Sequence, residues 1–262
     1  DTTYNTAVGY KAGYLVSTSV KNTLIGGEAG DGITSGDGLN VAVGYGALGA
    51  ASNTTQENVA IGNDALSTED GHGRNVAVGF EALKTLNAGA LGYNTAVGQQ
   101  AGKAVTTGVQ NTIIGALAGD ALTDADYNTA VGYDALSTDT LGSRSTAIGI
   151  NTLKSQNFTT ATETYNVAVG HSAGLAVTTG VNNTLIGGLA GDAITTGNDN
   201  TSLGLHSLGA NTLSNRNTAI GSSTLYSFNV ASDTHTYNTA VGYGAGYAVT
   251  TGISNTLIGG LA

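Results

Sequence analysis

Cysteine, proline, methionine and tryptophan are missing from the 262 residues; phenylalanine occurs three times, and lysine and arginine together eight times. Each shortage removes a class of explanation. Without cysteine there is no disulfide scaffold, thiolate zinc site or thiol nucleophile, although nothing follows about compartment, because secreted fibres also lack it. With aromatics at 6%, a compact sphere of this length could not be filled to native density, whereas a thin interior of Ala, Val and Ile could. A net charge of −10 leaves no basic patch for nucleic-acid phosphates or anionic lipid. No apolar run is long enough to span a membrane, and no basic start followed by an apolar stretch reads as a signal peptide.

What the chain does have is glycine, 41 residues of it, and one recurring phrase. Asn-(Thr/Val)-(small or apolar)-(Val/Ile/Leu)-Gly occurs fifteen times, starting at Asn5, Asn22, Asn40, Asn58, Asn75, Asn94, Asn111, Asn128, Ser145, Asn166, Asn183, Asn200, Asn217, Asn238 and Asn255. The steps are 17 to 19 residues, with two of 21, and Ser145 alone departs from Asn. A fixed period of this size predicts an all-β parallel solenoid of about fifteen rungs, each burying its apolar face by stacking on its neighbours. A longer period overlies it. Blocks begin near residues 5, 94, 166 and 238, as expected of growth by whole-rung duplication. Residues 1–262 are therefore read as one repetitive domain, expected to continue as a longer array.

Within a rung, Thr6-Ala7-Val8-Gly9-Tyr10 alternates with the period of a strand, Thr6, Val8 and Tyr10 on one face and Ala7 and Gly9 on the other. The fourth position is branched and apolar in every copy. Val8, Ile25, Val43, Ile61, Val78, Val97, Ile114, Val131, Ile148, Val169, Ile186, Leu203, Ile220, Val241 and Ile258 are therefore expected to stack as one core column. The third position, mostly Ala with Leu24, Ile113, Leu185 and Leu257, makes the other face apolar and close-fitting, so both faces read as buried. The motif Gly suits a positive φ or a close backbone approach. The leading Asn column is expected to cap a corner and hydrogen-bond along the stack. Pairs such as Ala12-Gly13 and Ala65-Leu66 read as a second, shorter strand, and runs such as Thr106-Thr107-Gly108 as turns. The two 21-residue steps add residues around Gln156–Glu163 and Ser227–Asp233, expected to bulge sideways, with Phe158 and Phe228 either packing over the rod or presenting the only sizeable aromatic surface there.

Phrases such as Asn58-Val59-Ala60-Ile61-Gly62-Asn63-Asp64-Ala65-Leu66 and Asn128-Thr129-Ala130-Val131-Gly132-Tyr133-Asp134-Ala135-Leu136 resemble the head repeats of YadA-like trimeric autotransporter adhesins and the related repeats of bacteriophage tail fibres. The resemblance covers essentially the whole chain. It implies a left-handed parallel β-roll, three chains about one axis, and an extracellular fibre on a virion or cell surface that acts in host attachment. The rungs are longer than the compact YadA-type coil, and no coiled-coil stalk or membrane anchor is visible, which favours a tail-fibre or spike shaft over an adhesin head. Independently of any family, a strand apolar on both faces leaves one stripe that a single coil does not cover, and packing copies of the chain together removes it from water.

Chemistry is not expected. His72, His171, His206 and His235 fall at unrelated places in their rungs, without metal-site or nucleophile–base spacing. Asp120, Asp124 and Asp126, and Asp192 and Asp199, lack the nonapeptide of calcium β-rolls and read as solvated turns. Gly26-Gly27-Glu28-Ala29-Gly30 has neither the helix nor the Lys of a phosphate loop. The sequons at Asn53, Asn157, Asn182 and Asn200 are what an Asn- and Thr-rich chain produces by chance. No enzyme activity, cofactor or metal is therefore assigned, and the expected partners are further copies of the chain and a host-surface receptor or glycan. Tyr10, Tyr45, Tyr133 and Tyr243, each directly after a motif Gly, are the candidate surface contacts, with packing against neighbouring rungs as their structural alternative. An ice- or glycan-binding solenoid is the remote third reading. A flat Thr-x-Thr array would be needed for ice, and Thr6 shares its face with Val8.

Overall fold

The computed structural model describes residues 3–36, 38–50, 56–69 and 73–262, and the chain forms two units, residues 1–128 and 129–262. The first unit carries β1 (Thr6–Val8), β2 (Thr23–Ile25), β3 (Val41–Val43), β4 (Val59–Ile61), β5 (Val76–Val78), β6 (Thr95–Val97) and β7 (Thr112–Ile114). The second carries β8 (Thr129–Val131), β9 (Gly142–Ser143), β10 (Thr146–Ile148), β11 (Thr162–Glu163), β12 (Val167–Val169), β13 (Thr184–Ile186), β14 (Thr201–Leu203), β15 (Thr218–Ile220), β16 (Thr239–Val241) and β17 (Thr256–Ile258). In each unit the motif strands pair in chain order, all parallel, with equivalent motif positions opposite one another, as in Ala147 opposite Ala130 and Ala168. Both units are parallel β-solenoids, and no helix occurs among the described residues.

The strands are three residues long because the motif Gly ends each one. Gly132 has φ +134°, and a Cβ there would lie 2.5 Å from the carbonyl oxygen of Gly149 in the next rung; only glycine lets the rungs come this close. Beyond it the chain turns. The Ala-Gly and Ala-Leu pairs are turns rather than the expected second strand, with the Gly or Leu in the left-handed region, as at Gly174 (φ +61°) and Leu136 (φ +54°). The backbone ladder still runs through them, for instance from Leu136 N to Thr152 O at 3.0 Å. A left-handed conformation costs a leucine about 1–2 kcal/mol. Full burial of its side chain stabilises by about 1.5–3 kcal/mol, so the inward Leu48, Leu66, Leu83, Leu136, Leu153, Leu208 and Leu225 are tolerated there.

The interior sets which side chain goes where. The inward strand position is the third, Ala or a larger residue, fully buried at Leu24, Ala42, Ala96, Ile113, Ala147 and Leu185. The fourth position faces out. Ile25, Ile61, Val97, Ile114 and Ile148 are 37–39% exposed, and Val8 and Ile258, on the first and last strands, are 57% and 71% exposed. This corrects the assignment of the column from Val8 to Ile258 to the core. It is a stacked column, with Val8 opposite Ile25 and Ile148 opposite Val169, but it lies on the outer face. The physical reason is width. A coil with one three-residue strand per rung encloses little volume, and Ala at position three, one Leu at the turn and a buried side chain further along the rung, such as Leu86 or Phe228, fill it.

Where the turn carries Gly instead of Leu, the space is filled from elsewhere. A Cβ at Gly174 would lie 2.8 Å from Cδ1 of Leu185, and one at Gly191 would lie 2.8 Å from Cδ2 of the same residue. Leu24 fills the space at Gly13 and Gly30 in the same way, and Ile113 that at Gly102 and Gly119. Rungs with Gly therefore come in pairs that share one large third-position side chain.

The long steps also differ from expectation. Of the two placements open to Phe158 and Phe228, the packed one is found, and it goes further than covering the surface: Phe228 packs in a core with Leu208, Ala219, Leu225, Ala240 and Ala245. The added residues after Phe158 form β11, which pairs parallel with β9, and those after Phe228 make a single parallel bridge from His235 to Asn215. An inward phenylalanine gains more than a surface one, and it draws its loop onto the stack.

Candidate interaction surface

The leading Asn residues of the inner rungs are buried and tie each corner to the next. The backbone N of Asn111 donates to Oδ1 of Asn94 at 2.9 Å, and Asn94 Nδ2 donates to Gly108 O at 2.9 Å. The same pair of bonds joins Asn183 to Asn166 (2.9 Å) and Asn166 to Gly180 O (2.7 Å). The column is thus committed to backbone groups and presents nothing to a ligand. At Ser145, where the amide is missing, Gln156 supplies it: Nε2 donates to Ser145 Oγ at 2.8 Å and to Asp139 Oδ2 at 2.6 Å, while its Oε1 accepts from Asn166 Nδ2 at 2.9 Å. Asp139 Oδ1 also accepts from the backbone N of Gly142 and of Phe158. Sequence reasoning missed this buried polar node. Its signal was the replacement, by Asp139 and Gln156, of the inward aliphatic residue found at Val105, Leu122, Val177 and Ile194 in other rungs.

The outer strand face is where an interaction is available. Beside the half-exposed fourth-position column stand the residues that follow the motif Gly: Tyr10, Tyr45, Tyr133 and Tyr243 are 50–72% exposed, and Phe80, Ile150 and Leu205 are 46–51% exposed. These side chains lean back over the preceding rung where it offers a glycine; a Cβ at Gly27 would lie 3.3 Å from the Tyr45 ring. The result in each unit is an apolar flank along the direction of stacking.

Charged side chains border that flank: Lys11 Nζ lies 5.4 Å from the Tyr10 ring centre, and a hydrogen bond to Glu28 pushes the Tyr45 hydroxyl up. In the first unit Glu81 accepts from Lys84 and from Lys103, each at 2.7 Å, and from Gln100 Nε2 at 2.9 Å, with 12% of its side chain exposed. Lys103, then Lys84 and Gln100, hold its carboxyl at about 2. A folded pKa below the ordinary value near 4.5 means that this stabilisation is complete above about pH 4.5 and is lost as pH falls toward 2. Glu81→Gln is accordingly expected to lower the unfolding midpoint at pH 7 and to leave it unchanged below pH 2; thermal melts at the two pH values check this, and an equal loss at both would contradict it.

A second outer column precedes the motif Asn, and it holds all three arginines of the chain. Arg74 Nε donates to Glu57 Oε2 at 2.7 Å and Nη1 to Tyr93 OH at 2.6 Å, its guanidinium lying 5.6 Å from the Tyr93 ring centre. In the second unit Arg216 reaches Asp199 Oδ2 at 3.5 Å and Tyr237 OH at 2.8 Å, with the ring centre at 5.7 Å. Arg144 pairs with Glu163 at 3.0 Å and lies 5.9 Å from the Tyr165 ring, whose OH donates to Glu163 Oε2 at 2.7 Å. Tyr165 and Arg144 hold the Glu163 carboxyl below its ordinary range, and Glu163 in turn pushes the Tyr165 hydroxyl up. These residues are 17 to 21 apart in sequence, apart from Glu163 and Tyr165, and become a site only when the rungs are stacked.

No family model matches this chain, and no curated protein or solved structure matches it either.

The remaining candidates are placed as follows. His171 and His235 are exposed, His206 packs edge-on to Tyr226, and His72 and Asn53 lie outside the described residues. Asp124 accepts from Thr107 Oγ1, Asp126 from the backbone N of Val109, and Asp199 from Asn182 and Arg216. Among the described residues no group of three His, Cys, Asp or Glu side chains is placed to hold a metal, and no helix is long and apolar enough to cross a membrane.

Proposed function

We propose that this chain is a non-enzymatic structural segment of an attachment fibre, most like a bacteriophage tail-fibre shaft, assembled as a parallel homotrimer. The observation that carries the reading is the outer strand face, where a branched apolar side chain stands at the same position in every rung, half-exposed in a single chain. Soluble monomers rarely leave so continuous an apolar stripe to water. A threefold axis along the stacking direction covers it with the same stripe from two other copies, and all three chains point the same way, as a fibre requires. The interior supports the reading from the other side: among the described residues it is filled mainly by Ala, Leu, Ile, Val and the Asn column, whose amides are committed to joining one rung to the next. The resemblance of the repeats to tail-fibre and adhesin sequences gives the proposal its biological setting.

Since the chain has no cysteine, single replacements report contacts between copies directly. Ile148→Cys, on the stripe, is expected to give disulfide-linked pairs on mild oxidation at micromolar concentration, because the proposed assembly brings the stripes of neighbouring copies together, and a disulfide forms only where the two Cα atoms come within about 7 Å. Thr179→Cys, in an exposed corner loop, is expected to stay unlinked. Absence of linkage at Ile148→Cys, or equal linkage at both, would overturn the proposal.

A further inference from the structure

We infer that the Tyr–Arg–carboxylate trios are binding sites for a neutral polysaccharide chain. The trios are not required by the coil: the same left-handed position before the motif Asn is filled by Gln110, Asn182 and Ser254 in other rungs. Nor are they stapled for stability, since exposed ion pairs contribute about 0–1 kcal/mol. The trio is nevertheless built three times, and not by one route. Glu57 and Asp199 come from the rung below their arginine, whereas Glu163 comes from the long loop above Arg144.

The chemistry on display fits a sugar. Each tyrosine keeps about half its surface open, 47% at Tyr93 and 52% at Tyr237, for the apolar face of a pyranose ring. Beside it a carboxylate oxygen accepts and a guanidinium donates, held 2.7 to 3.5 Å from each other, so part of the cost of ordering them is met before a ligand arrives. Adjacent hydroxyls of one sugar offer the matching donor and acceptor. Arginine and acid cancel in each trio and the whole chain carries −10, which disfavours an anionic polymer. In the second unit the trios at Arg144 and Arg216 are four rungs apart, about 19 Å, so one extended chain engages both. The inference does not need the trimer, because a single chain carries the trios.

Native gel electrophoresis of the full chain through dextran, mannan, xylan or galactan, with alginate as the anionic comparison, tests it. Retardation by at least one neutral polymer is expected, stronger than by alginate. Arg216→Gln with Tyr237→Ser, residues the same column already accommodates, should weaken it about tenfold, and clearing all three trios should abolish it. No retardation by any neutral polymer, preference for alginate, or unchanged retardation once the trios are removed would overturn the inference. Light scattering of the same samples reports assembly separately, so a monomer that is still retarded would count against the trimer alone.

Discussion

Ala147→Asp is expected to unfold the rungs around it, whereas Ile148→Asp, one residue further on, is expected to leave the solenoid folded and to remove only the proposed self-association. The two side chains are adjacent and point oppositely. Ala147 is fully buried with Ala130 and Ala168 opposite it, in rungs whose interior also takes Leu136 and Leu153, so a carboxylate there is forced into a filled apolar interior. The cost of several kcal/mol is comparable to the stability of a whole domain. Ile148 is 38% exposed in the single chain, and an aspartate there projects outward, at a loss of about 1 kcal/mol from partial burial. Hydrogen exchange of the backbone amides reports the first effect and light scattering the second. A folded Ala147→Asp chain, or an Ile148→Asp chain that unfolds, would reverse the assignment of inside and outside.

Removing one rung is expected to harm the fold more than removing a block. Deleting residues 183–199 takes out the single rung that contains Leu185, the side chain that fills the space at Gly174. What remains is a cavity of the kind left by Leu→Ala replacement, worth about 2–5 kcal/mol. Deleting residues 166–237 leaves none, because Leu153, whose Cδ2 stands 2.9 Å from a Cβ position at Gly174, then meets Gly246 as Leu225 does now at 2.8 Å. Thermal midpoints decide. The block deletion should melt close to the full chain and the single-rung deletion roughly 5–15 °C lower; a lower midpoint for the block deletion would contradict the pairing of Gly rungs through a shared leucine.

The repeat made the strand register legible: where Asn-x-x-x-Gly falls, strand, corner and stacking partner follow. The role of the Asn column could be read as well, because an amide at one fixed offset before an apolar strand has few uses other than joining corners. Which face points inward could not be read from hydrophobicity. Position four is more apolar than position three, and the transfer free energy of the side chains favours burying it. Volume decides otherwise, since a ring of valines and isoleucines would not close inside so narrow a coil. The clue lay in a compensation between positions, Leu24, Ile113 and Leu185 appearing where the turns carry Gly and Ala where they carry Leu. The sideways bulge of the long steps was misread for a related reason: a long step suggests a loop leaving the stack, yet one large buried ring holds it there. The arginine trios were invisible because their members meet only across rungs.

The measurement that tests the account most directly is the solution mass of the intact chain by light scattering at micromolar concentration. Three chains of 25.8 kDa moving as one particle, and falling to one chain in Ile148→Asp, is the predicted result. A well-folded particle of a single chain would contradict it.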